Sequence, residues 1–228
     1  NVTMPHKQAI IPLLASISKD AALANSVNTV VCGYKGLHGY STDALGFSQA
    51  VAASGRNPQG LPAVFLGSGG ACGALALHWA LFEKAPVTII ARTPEKAKAI
   101  QNTIVEQGGA SPLILAWNEE NISKAMAETP LLVNTTPLGM TGNTEDFPDF
   151  HFLEHLPKNS LVFDLIYAPR QTQLLQKAKE SGHCTANGLD MLIYQAMEAF
   201  TILTGVQTEK KDKLTIEKAL AGQGLLKD

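Results

Sequence analysis

Short apolar runs alternate with stretches of helical periodicity over most of the chain. The runs occupy residues 63–66, 87–90, 113–116, 131–133 and 161–163. Each run is apolar throughout and does not alternate with polar residues, as is typical of parallel strands that are buried on both faces. Helical periodicity is clearest after the first two runs, at residues 71–82 and 94–107. This alternation predicts an α/β fold built on a parallel sheet.

The two ends of the chain have other patterns. Apolar residues recur with helical spacing over residues 8–24, which predicts a helix. Two β-rich segments, at residues 27–32 and 37–40, are joined through glycines and predict a hairpin. A further helix is predicted to begin at Asp43, and a long one covers residues 189–203.

Composition and charge disfavour several classes of protein. Of the 228 residues, 45% are hydrophobic and 17% charged, as in globular proteins of one large or two small domains. The net charge of −2 and the scattered basic residues disfavour nucleic acid as a partner. Three cysteines without a CxxC pair predict neither a disulfide framework nor a zinc site, and they favour a reducing compartment. The sequence leaves the oligomeric state open between a monomer and a homodimer.

The sequence shows no membrane span and no export signal. The most apolar stretch, residues 61–82, is interrupted by glycines, so it predicts a strand and a helix. The first residues contain no basic segment followed by an apolar run. Because the chain begins with Asn1 and not with Met, this second observation is weaker than usual. We expect a cytoplasmic protein whose partners are small molecules.

A glycine-rich segment follows the first apolar run and opens the helix after it. Its residues are Gly67, Ser68, Gly69, Gly70 and Ala71. Glycines there permit a tight turn and let the backbone approach a pyrophosphate, while the helix N-terminus offers unpaired N–H donors. Cys72 stands at the third glycine of the common G-x-G-x-x-G spacing, so a plain tight turn is the alternative. The strand–loop–helix context favours a dinucleotide site in a Rossmann-type domain.

The end of the second apolar run indicates which dinucleotide would bind. An NAD site usually places Asp or Glu there, where its carboxylate bonds the ribose 2′-hydroxyl. The chain instead has Arg92 and Thr93, with Lys96 one helical turn further on. Arg92 can bind a 2′-phosphate through two parallel hydrogen bonds, Thr93 can add a hydroxyl, and Lys96 adds positive charge. The sequence therefore favours NADP over NAD.

Eight short motifs, in the same order along the chain, resemble those of the shikimate dehydrogenase family. They are residues 1–7 (NVTMPHK), 27–29 (VNT), 41–46 (STDALG), 67–74 (GSGGACGA), 92–93 (RT), 134–140 (NTTPLGM), 164–169 (DLIYAP) and 188–196 (GLDMLIYQA). One motif could be chance, but eight in order over essentially the whole chain are specific. The resemblance implies reversible hydride transfer between NADPH and the C3 carbonyl of 3-dehydroshikimate.

The resemblance also implies residue roles and a domain division. Lys7 and Asp43 would form the acid/base pair. The ring hydroxyls would be held by Thr3, Asn28, Asp43 and Gln195, with Tyr167 at the substrate, and the nicotinamide would be lined by Leu165, Gly188 and Met191. Residues 42–186 would form the Rossmann domain, and residues 1–41 with 187–228 a smaller α/β substrate domain. The cleft between the two domains would hold the site.

General chemistry is consistent with these roles. A ketone that accepts hydride gains charge on its oxygen, so an ammonium such as that of Lys7 can donate the proton and stabilise the charge. Amides such as those of Asn28 and Gln195 suit a polyol, because each offers donors and an acceptor. Without the resemblance, Lys7 would be a surface residue, Asn28 a turn residue, Asp43 a helix cap and Gln195 an exposed helix residue.

Departures from the family pattern leave alternatives open. Ala91 replaces the asparagine of the family's NRT element, and Ser41 replaces the asparagine before Thr42. Family members also have a longer N-terminal part with a Ser-x-Ser pair that binds the substrate carboxylate, so we expect an incomplete substrate domain in a chain that starts at Asn1. The alternatives are a quinate/shikimate dehydrogenase that uses NAD, an inactive NADP-binding remnant and a purely structural module.

Overall fold

The computed structural model describes residues 1–3 and 5–222 of the chain. Met4 of the first motif and the end of the predicted substrate domain, residues 223–228, lie outside the described residues. The strands are β1 (Ser16–Ile17), β2 (Thr29–Gly33), β3 (Gly36–Tyr40), β4 (Ala63–Leu66), β5 (Val87–Ala91), β6 (Leu113–Ala116), β7 (Leu131–Asn134), β8 (Leu161–Asp164) and β9 (Cys184–Asn187). The helices are α1 (Lys19–Ala24), α2 (Asp43–Ala53), α3 (Gly70–Leu81), α4 (Pro94–Glu106), α5 (Glu119–Met126), α6 (Gln173–Glu180), α7 (Gly188–Thr204) and α8 (Lys210–Gly222), with 3-10 turns at Ile11–Leu13 and His151–His155.

A six-stranded parallel sheet forms the larger part of the molecule. Its strand order is β6-β5-β4-β7-β8-β9, and β4, β7 and β8 are buried along their whole length. The predicted α/β fold and its five apolar strands are confirmed. The sixth strand, β9, was not predicted, because its sequence CTAN contains no apolar run and half of it is exposed at the sheet edge. The order is that of a doubly wound nucleotide-binding sheet.

The chain reverses its direction across the sheet between β4 and β7. From β4 it proceeds outward to β5 and β6, and from β7 it proceeds the other way. Leu66 at the end of β4 lies in register with Ile90 of β5 and Asn134 of β7, so the carboxyl ends of the three strands are level. In open α/β sheets a ligand binds in the crevice at this switch point.

A smaller three-stranded sheet, in the order β1-β3-β2, lies at the N-terminal side. The predicted hairpin is confirmed, since β2 and β3 pair antiparallel. The continuous helix predicted over residues 8–24 is wrong. Pro12 lacks an N–H, so an α-helix cannot continue from residues 8–11 into it, and it stands in the first turn of the 3-10 helix Ile11–Leu13, after which Leu14 is extended. Ser18 then begins α1 by accepting a hydrogen bond from the Ala21 N–H at 3.2 Å. Between them β1 joins β3 in parallel.

Helices α2 and α7 connect the two sheets and set the position of the site. Phe47 of α2 packs in the main core against Trp79 and Phe163, at ring-centroid distances of 5.2 and 5.0 Å. Gly46 lies against α7 so closely that a Cβ on it would come within 2.6 Å of the Gln195 nitrogen. The two helices are therefore fixed relative to each other. None of the helices in the described ranges has both the length and the apolar character that a membrane span requires.

Candidate active site

Lys7 and Asp43 form a close ion pair where the N-terminal segment meets α2. The Lys7 Nζ lies 2.7 Å from the Asp43 Oδ2, and the two side chains are 25% and 23% exposed. The Lys7 carbonyl accepts a hydrogen bond from the Val27 N–H at 2.9 Å, which holds this segment against the start of the hairpin. Asp43 is the first residue of α2, where the helix dipole favours a carboxylate. The pair is thus fixed from both sides.

Asn28 is the centre of the hydrogen-bond network behind this pair. Its amide nitrogen donates to the Thr42 Oγ1 at 2.9 Å, to the Asp43 Oδ1 at 3.0 Å and to the Gln195 Oε1 at 3.2 Å. Its amide oxygen accepts from the Thr42 N–H at 3.1 Å and from the Thr29 hydroxyl at 3.0 Å. Asn28 is buried, so these bonds are shielded from water and fix the amide orientation.

Gln195 brings α7 into the same network. Its side-chain amide donates to the Leu192 carbonyl at 2.9 Å, and its main-chain carbonyl accepts a hydrogen bond from the Thr42 hydroxyl at 2.9 Å. Residues that are far apart in sequence, on the hairpin, on α2 and on α7, are therefore locked together. Thr3 does not take part, since its carbonyl accepts the His6 N–H and its side chain is exposed.

A cavity of about 540 Å³ opens in front of the Lys7–Asp43 pair. Residues of the N-terminal segment, of α2, of α7 and of the start of α3 line it. The predicted site residues among its lining are Lys7, Asp43, Gly70, Ala71, Leu165, Tyr167, Gly188, Met191 and Gln195. Tyr167 remains 54% exposed although it lines the cavity. Neither Thr3 nor Asn28 belongs to this lining.

A second cavity, of about 510 Å³, lies on the other side of the glycine-rich loop. The predicted residues that line it are Gly67, Ser68, Gly69, Arg92, Thr93 and Lys96. The loop separates the two cavities, because Gly70 and Ala71 belong to the first one. An extended ligand could therefore occupy both cavities while its middle crosses the loop.

The loop has the space and the free donors that a pyrophosphate needs. A Cβ built on Gly69 or Gly70 meets no atom within 4 Å, so the backbone faces open space. Gly67 has a φ of +109°, and a Cβ on it would lie 3.0 Å from the Thr135 hydroxyl. In the described part of the chain no side chain caps the N-terminus of α3, so its N–H groups can bind an anion.

The loop departs from the common glycine spacing at Cys72, and its packing explains why. Cys72 is fully buried below the loop, where it packs in the main core as a small apolar side chain. Burial raises the pKa of its thiol to about 12, although the Thr135 hydroxyl lowers it in part. The thiol is therefore not a nucleophile at neutral pH.

A buried pair, Asn134 and Asp164, joins the loops that border the two cavities. Asp164 accepts the Asn134 amide at 3.0 Å, the Ile166 N–H at 3.1 Å and the Thr172 hydroxyl at 2.7 Å. Burial raises the pKa of Asp164 to about 6, while these three hydrogen bonds lower it in part. Asn134 in turn accepts the N–H and the hydroxyl of Thr136 at 2.9 and 2.7 Å.

No role was predicted for this pair, although both residues stand in recognised motifs. The signal that could have found them is their position, since each polar residue directly ends an apolar run. They lie in register on neighbouring strands at the carboxyl edge of the sheet. Gly188 is held in the same region, because a Cβ on it would overlap the Leu165 carbonyl oxygen.

A doubly wound nucleotide-binding sheet, with a lysine–carboxylate pair beside its glycine-rich loop, defines the class of nucleotide-dependent dehydrogenases. The chain belongs to the shikimate dehydrogenase family. Residues 1–30 match the family model described as the shikimate dehydrogenase substrate binding domain. Shikimate dehydrogenase (NADP(+)) of Desulforamulus reducens is 40% identical over 206 residues, which cover 90% of this chain and 70% of that one.

Solved structures agree with this assignment. A shikimate dehydrogenase in complex with NADP+ superposes with a TM-score of 0.81 at 34% identity, covering 96% of this chain and 75% of that chain. The quinate dehydrogenase of Corynebacterium glutamicum in complex with NAD superposes with a TM-score of 0.79 at 29% identity, covering 93% and 74%. Both sequence and fold thus place the chain in this family.

Proposed function

We propose that the protein catalyses the reversible, NADP-dependent reduction of 3-dehydroshikimate to shikimate, a step in aromatic amino acid biosynthesis. The observation that carries the proposal is the Lys7–Asp43 pair at 2.7 Å, which lines the same cavity as Gly70 and Ala71 of the dinucleotide loop. Membership of the family and the names of its NADP-dependent relatives support the same reaction.

Lys7 is the proposed proton donor. When NADPH is bound it supplies the hydride to the carbonyl carbon, and negative charge then develops on the carbonyl oxygen. The Lys7 ammonium can stabilise that charge and deliver a proton to the oxygen. Asp43 holds the ammonium in place through its Oδ2, and in the reverse direction the amine accepts the proton from the substrate hydroxyl. The other oxygen of Asp43, Oδ1, accepts a hydrogen bond from the Asn28 amide, and this bond orients the ion pair.

The proposed substrate contacts differ in how directly the structure supports them. Gln195 and Tyr167 line the cavity, so each can reach a ring hydroxyl. Asn28 lies behind the wall and holds Asp43 and Gln195, so orienting these two side chains is part of its proposed role. The predicted contact between Thr3 and a ring hydroxyl stays a prediction, because Thr3 lies outside the lining.

The proposed cofactor site follows the two cavities and the loop between them. Residues 67–71 would hold the pyrophosphate, and Arg92, Thr93 and Lys96 would hold the 2′-phosphate. Leu165, Gly188 and Met191, in the first cavity, would line the nicotinamide. The open space at Gly69 and Gly70 supports the fit of the cofactor, as does the uncapped helix N-terminus.

We propose the domain limits stated from the sequence, with residues 42–186 as the NADP domain and residues 1–41 and 187–228 as the substrate domain. We also infer a cytoplasmic enzyme that is a monomer or a homodimer. The cysteines support a reducing compartment, since Cys32, Cys72 and Cys184 are all free.

The test is a comparison of substrates and cofactors on the purified chain. Oxidation of NADPH, followed by absorbance, should depend on 3-dehydroshikimate, and shikimate should drive the reverse reaction with NADP. Faster turnover with quinate and NAD would favour the alternative that the structural similarity to a quinate dehydrogenase supports. Binding of NADP without turnover of either substrate would favour an inactive NADP-binding chain.

A further inference from the structure

The cavity beside Gly67, Ser68 and Gly69 has an unexpected balance of charge. Two basic side chains, Arg92 and Lys96, line it together with two acidic ones, Glu145 and Asp146. A site for a phosphate dianion gains affinity from each basic group and loses affinity through each nearby carboxylate. The proposed role of Arg92 and Lys96 in binding NADP therefore leaves the two carboxylates unexplained.

The two carboxylates are directed differently. Asp146 accepts the N–H of the next residue, Phe147, at 2.7 Å, and its charge contributes to the raised pKa of Asp164. Glu145 instead points at the basic side of the cavity, with its Oε2 lying 3.9 Å from the Arg92 Nη1. Glu145 is thus the acidic residue that faces the group proposed to bind the 2′-phosphate.

The backbone of Glu145 is held in this position. Its carbonyl accepts the Gly139 N–H at 3.1 Å, and its own N–H donates to the Asn143 Oδ1 at 3.2 Å. Gly139 has a φ of +84°, a conformation that favours glycine and that closes the loop after β7. Asn143 is tied to the same loop by a bond of 2.7 Å to the Pro137 carbonyl. The bonds thus hold the backbone from which the carboxylate reaches Arg92.

We propose that Glu145 is a specificity-determining residue, which weakens the preference for NADP over NAD by opposing the 2′-phosphate at Arg92. This inference rests on the proposed function, in which Arg92 binds that phosphate. In the free protein Glu145 pairs with Arg92. In the complex the phosphate takes the place of the Glu145 carboxylate as the partner of Arg92, while the charge of Glu145 stays close to the phosphate. NAD has an uncharged hydroxyl at this position, which Glu145 does not repel.

The expected effect of Glu145 on NADP affinity is small, because both Arg92 and Glu145 are exposed to water. Arg92 and Glu145 are 84% and 63% exposed, so their ion pair is weak and can open when a ligand arrives. Water screens the repulsion between the carboxylate and a phosphate bound at Arg92, so we expect about a fivefold change in affinity, as for other exposed charge pairs. The charge of Glu145 thus adjusts the selectivity and leaves NADP able to bind.

Tryptophan fluorescence provides a direct measure of binding. Trp117 lines this cavity, whereas Trp79 is fully buried in the core, so quenching by a ligand reports on the adenosine side. The dissociation constants of NADP and NAD would be measured for the wild type, for Glu145→Gln and for the control Glu106→Gln. Glu106 ends α4, about 15 Å along the helix from Lys96, so Glu106→Gln removes one negative charge far from the cavity.

Glu145→Gln is expected to lower the dissociation constant of NADP about fivefold at low salt and by less at high salt. The dissociation constant of NAD should not change. Glu106→Gln should resemble the wild type. Equal tightening of both cofactors, no change, or weaker NADP binding would each overturn the inference. If the wild type itself binds no NADP, the proposed function fails and this inference with it. If the wild type binds NADP but Glu145→Gln does not differ, only this inference fails.

Discussion

The two cavities beside the glycine-rich loop are built in opposite ways. In the first, Lys7 and Asp43 are about three-quarters buried and are held by a network through Asn28 and Gln195. In the second, Arg92 is 84% exposed and its partner Glu145 is 63% exposed. The first arrangement fixes atoms for chemistry, which depends on geometry. The second presents charge to a ligand, and water screens it.

This difference predicts two kinds of mutational effect. A change in the first cavity should affect catalysis and, where buried bonds break, also stability. A change in the second cavity should affect cofactor affinity and leave stability almost unaltered, because exposed pairs contribute little to folding. The predictions below test this contrast, beginning with the largest expected effect.

Replacement of the proposed proton donor should have the largest effect. Lys7→Ala is expected to lower kcat by about 10²–10⁴-fold, the usual contribution of a positioned acid or base. The Kd for NADP should hardly change, since the residues proposed to hold its 2′-phosphate line the second cavity, which Lys7 does not. Steady-state rates with NADPH and 3-dehydroshikimate, together with Trp117 quenching, separate the two quantities. Lys35→Ala, at an exposed position in the hairpin turn, is the control; substantial turnover by Lys7→Ala would exclude Lys7 as the donor.

The buried Asp164 joins the loops of both cavities and should give stability a distinctive pH dependence. Burial raises the pKa of Asp164 in the folded state from its ordinary value of 3.8 to about 6, so the folded state binds the proton more tightly than the unfolded state. The stabilisation by the protonated form is therefore complete below pH ~3.8 and is lost as the pH rises through ~6. A shift of this size corresponds to about 3 kcal/mol.

Asp164→Asn removes this titration and can keep the hydrogen bonds. Its Oδ1 can accept from Asn134 and Ile166, and its amide can donate to the Thr172 hydroxyl in place of the present bond. Relative to the wild type, the free energy of unfolding of the variant should rise by about 3 kcal/mol between pH 4 and 7 and then stay level. Urea unfolding across this range measures it, with the exposed Asp149→Asn as control. A difference that is constant with pH would contradict the role of Asp164.

Much of the fold could be predicted, because its buried strands and the helices after them leave patterns in consecutive residues of the chain. Strands β4, β5 and β7 are buried on both faces, and that burial requires apolar side chains at consecutive positions. The strands that were missed, β1 and β9, are short, lie at sheet edges and carry polar residues. Their formation depends on neighbouring strands, which a local pattern does not contain.

The candidate site divides in the same way. The glycine-rich loop could be predicted because strand, turn and helix follow each other directly in the chain. The network around Asn28 could not be derived from composition or spacing, since it joins residues 28, 43 and 195; the family motifs indicated these residues without indicating their bonds. Glu145 was not predicted because only folding brings the loop after β7 to Arg92. The sequence therefore did not predict the contacts between side chains that are far apart in the chain.

Asn28→Ala tests whether the first cavity couples catalysis to stability. The variant leaves the buried Thr42 without its Asn28 partner and releases Asp43 and Gln195 on one side. We expect a loss of about 1–3 kcal/mol in the free energy of unfolding, as for other buried hydrogen-bonding groups, together with a lower kcat. Urea unfolding and steady-state kinetics measure the two effects, and Asn102→Ala, at an exposed position of α4, is the control. An active variant of unchanged stability would show that the network is not needed for either.

Arg92→Ala tests the opposite expectation for the second cavity and should have the smallest effect. The loss of charge-assisted hydrogen bonds to a 2′-phosphate should weaken NADP binding by about 1–2 kcal/mol, which is roughly 5–30-fold. NAD binding and the free energy of unfolding should change little, because Arg92 is largely exposed and its pair with Glu145 is weak. Titrations of both cofactors, monitored by Trp117, measure this, and the control is Lys98→Ala on α4, the helix that follows Arg92. Equal losses for NADP and NAD would contradict the 2′-phosphate role, and a large loss of stability would show that the two cavities are not built as differently as their exposure indicates.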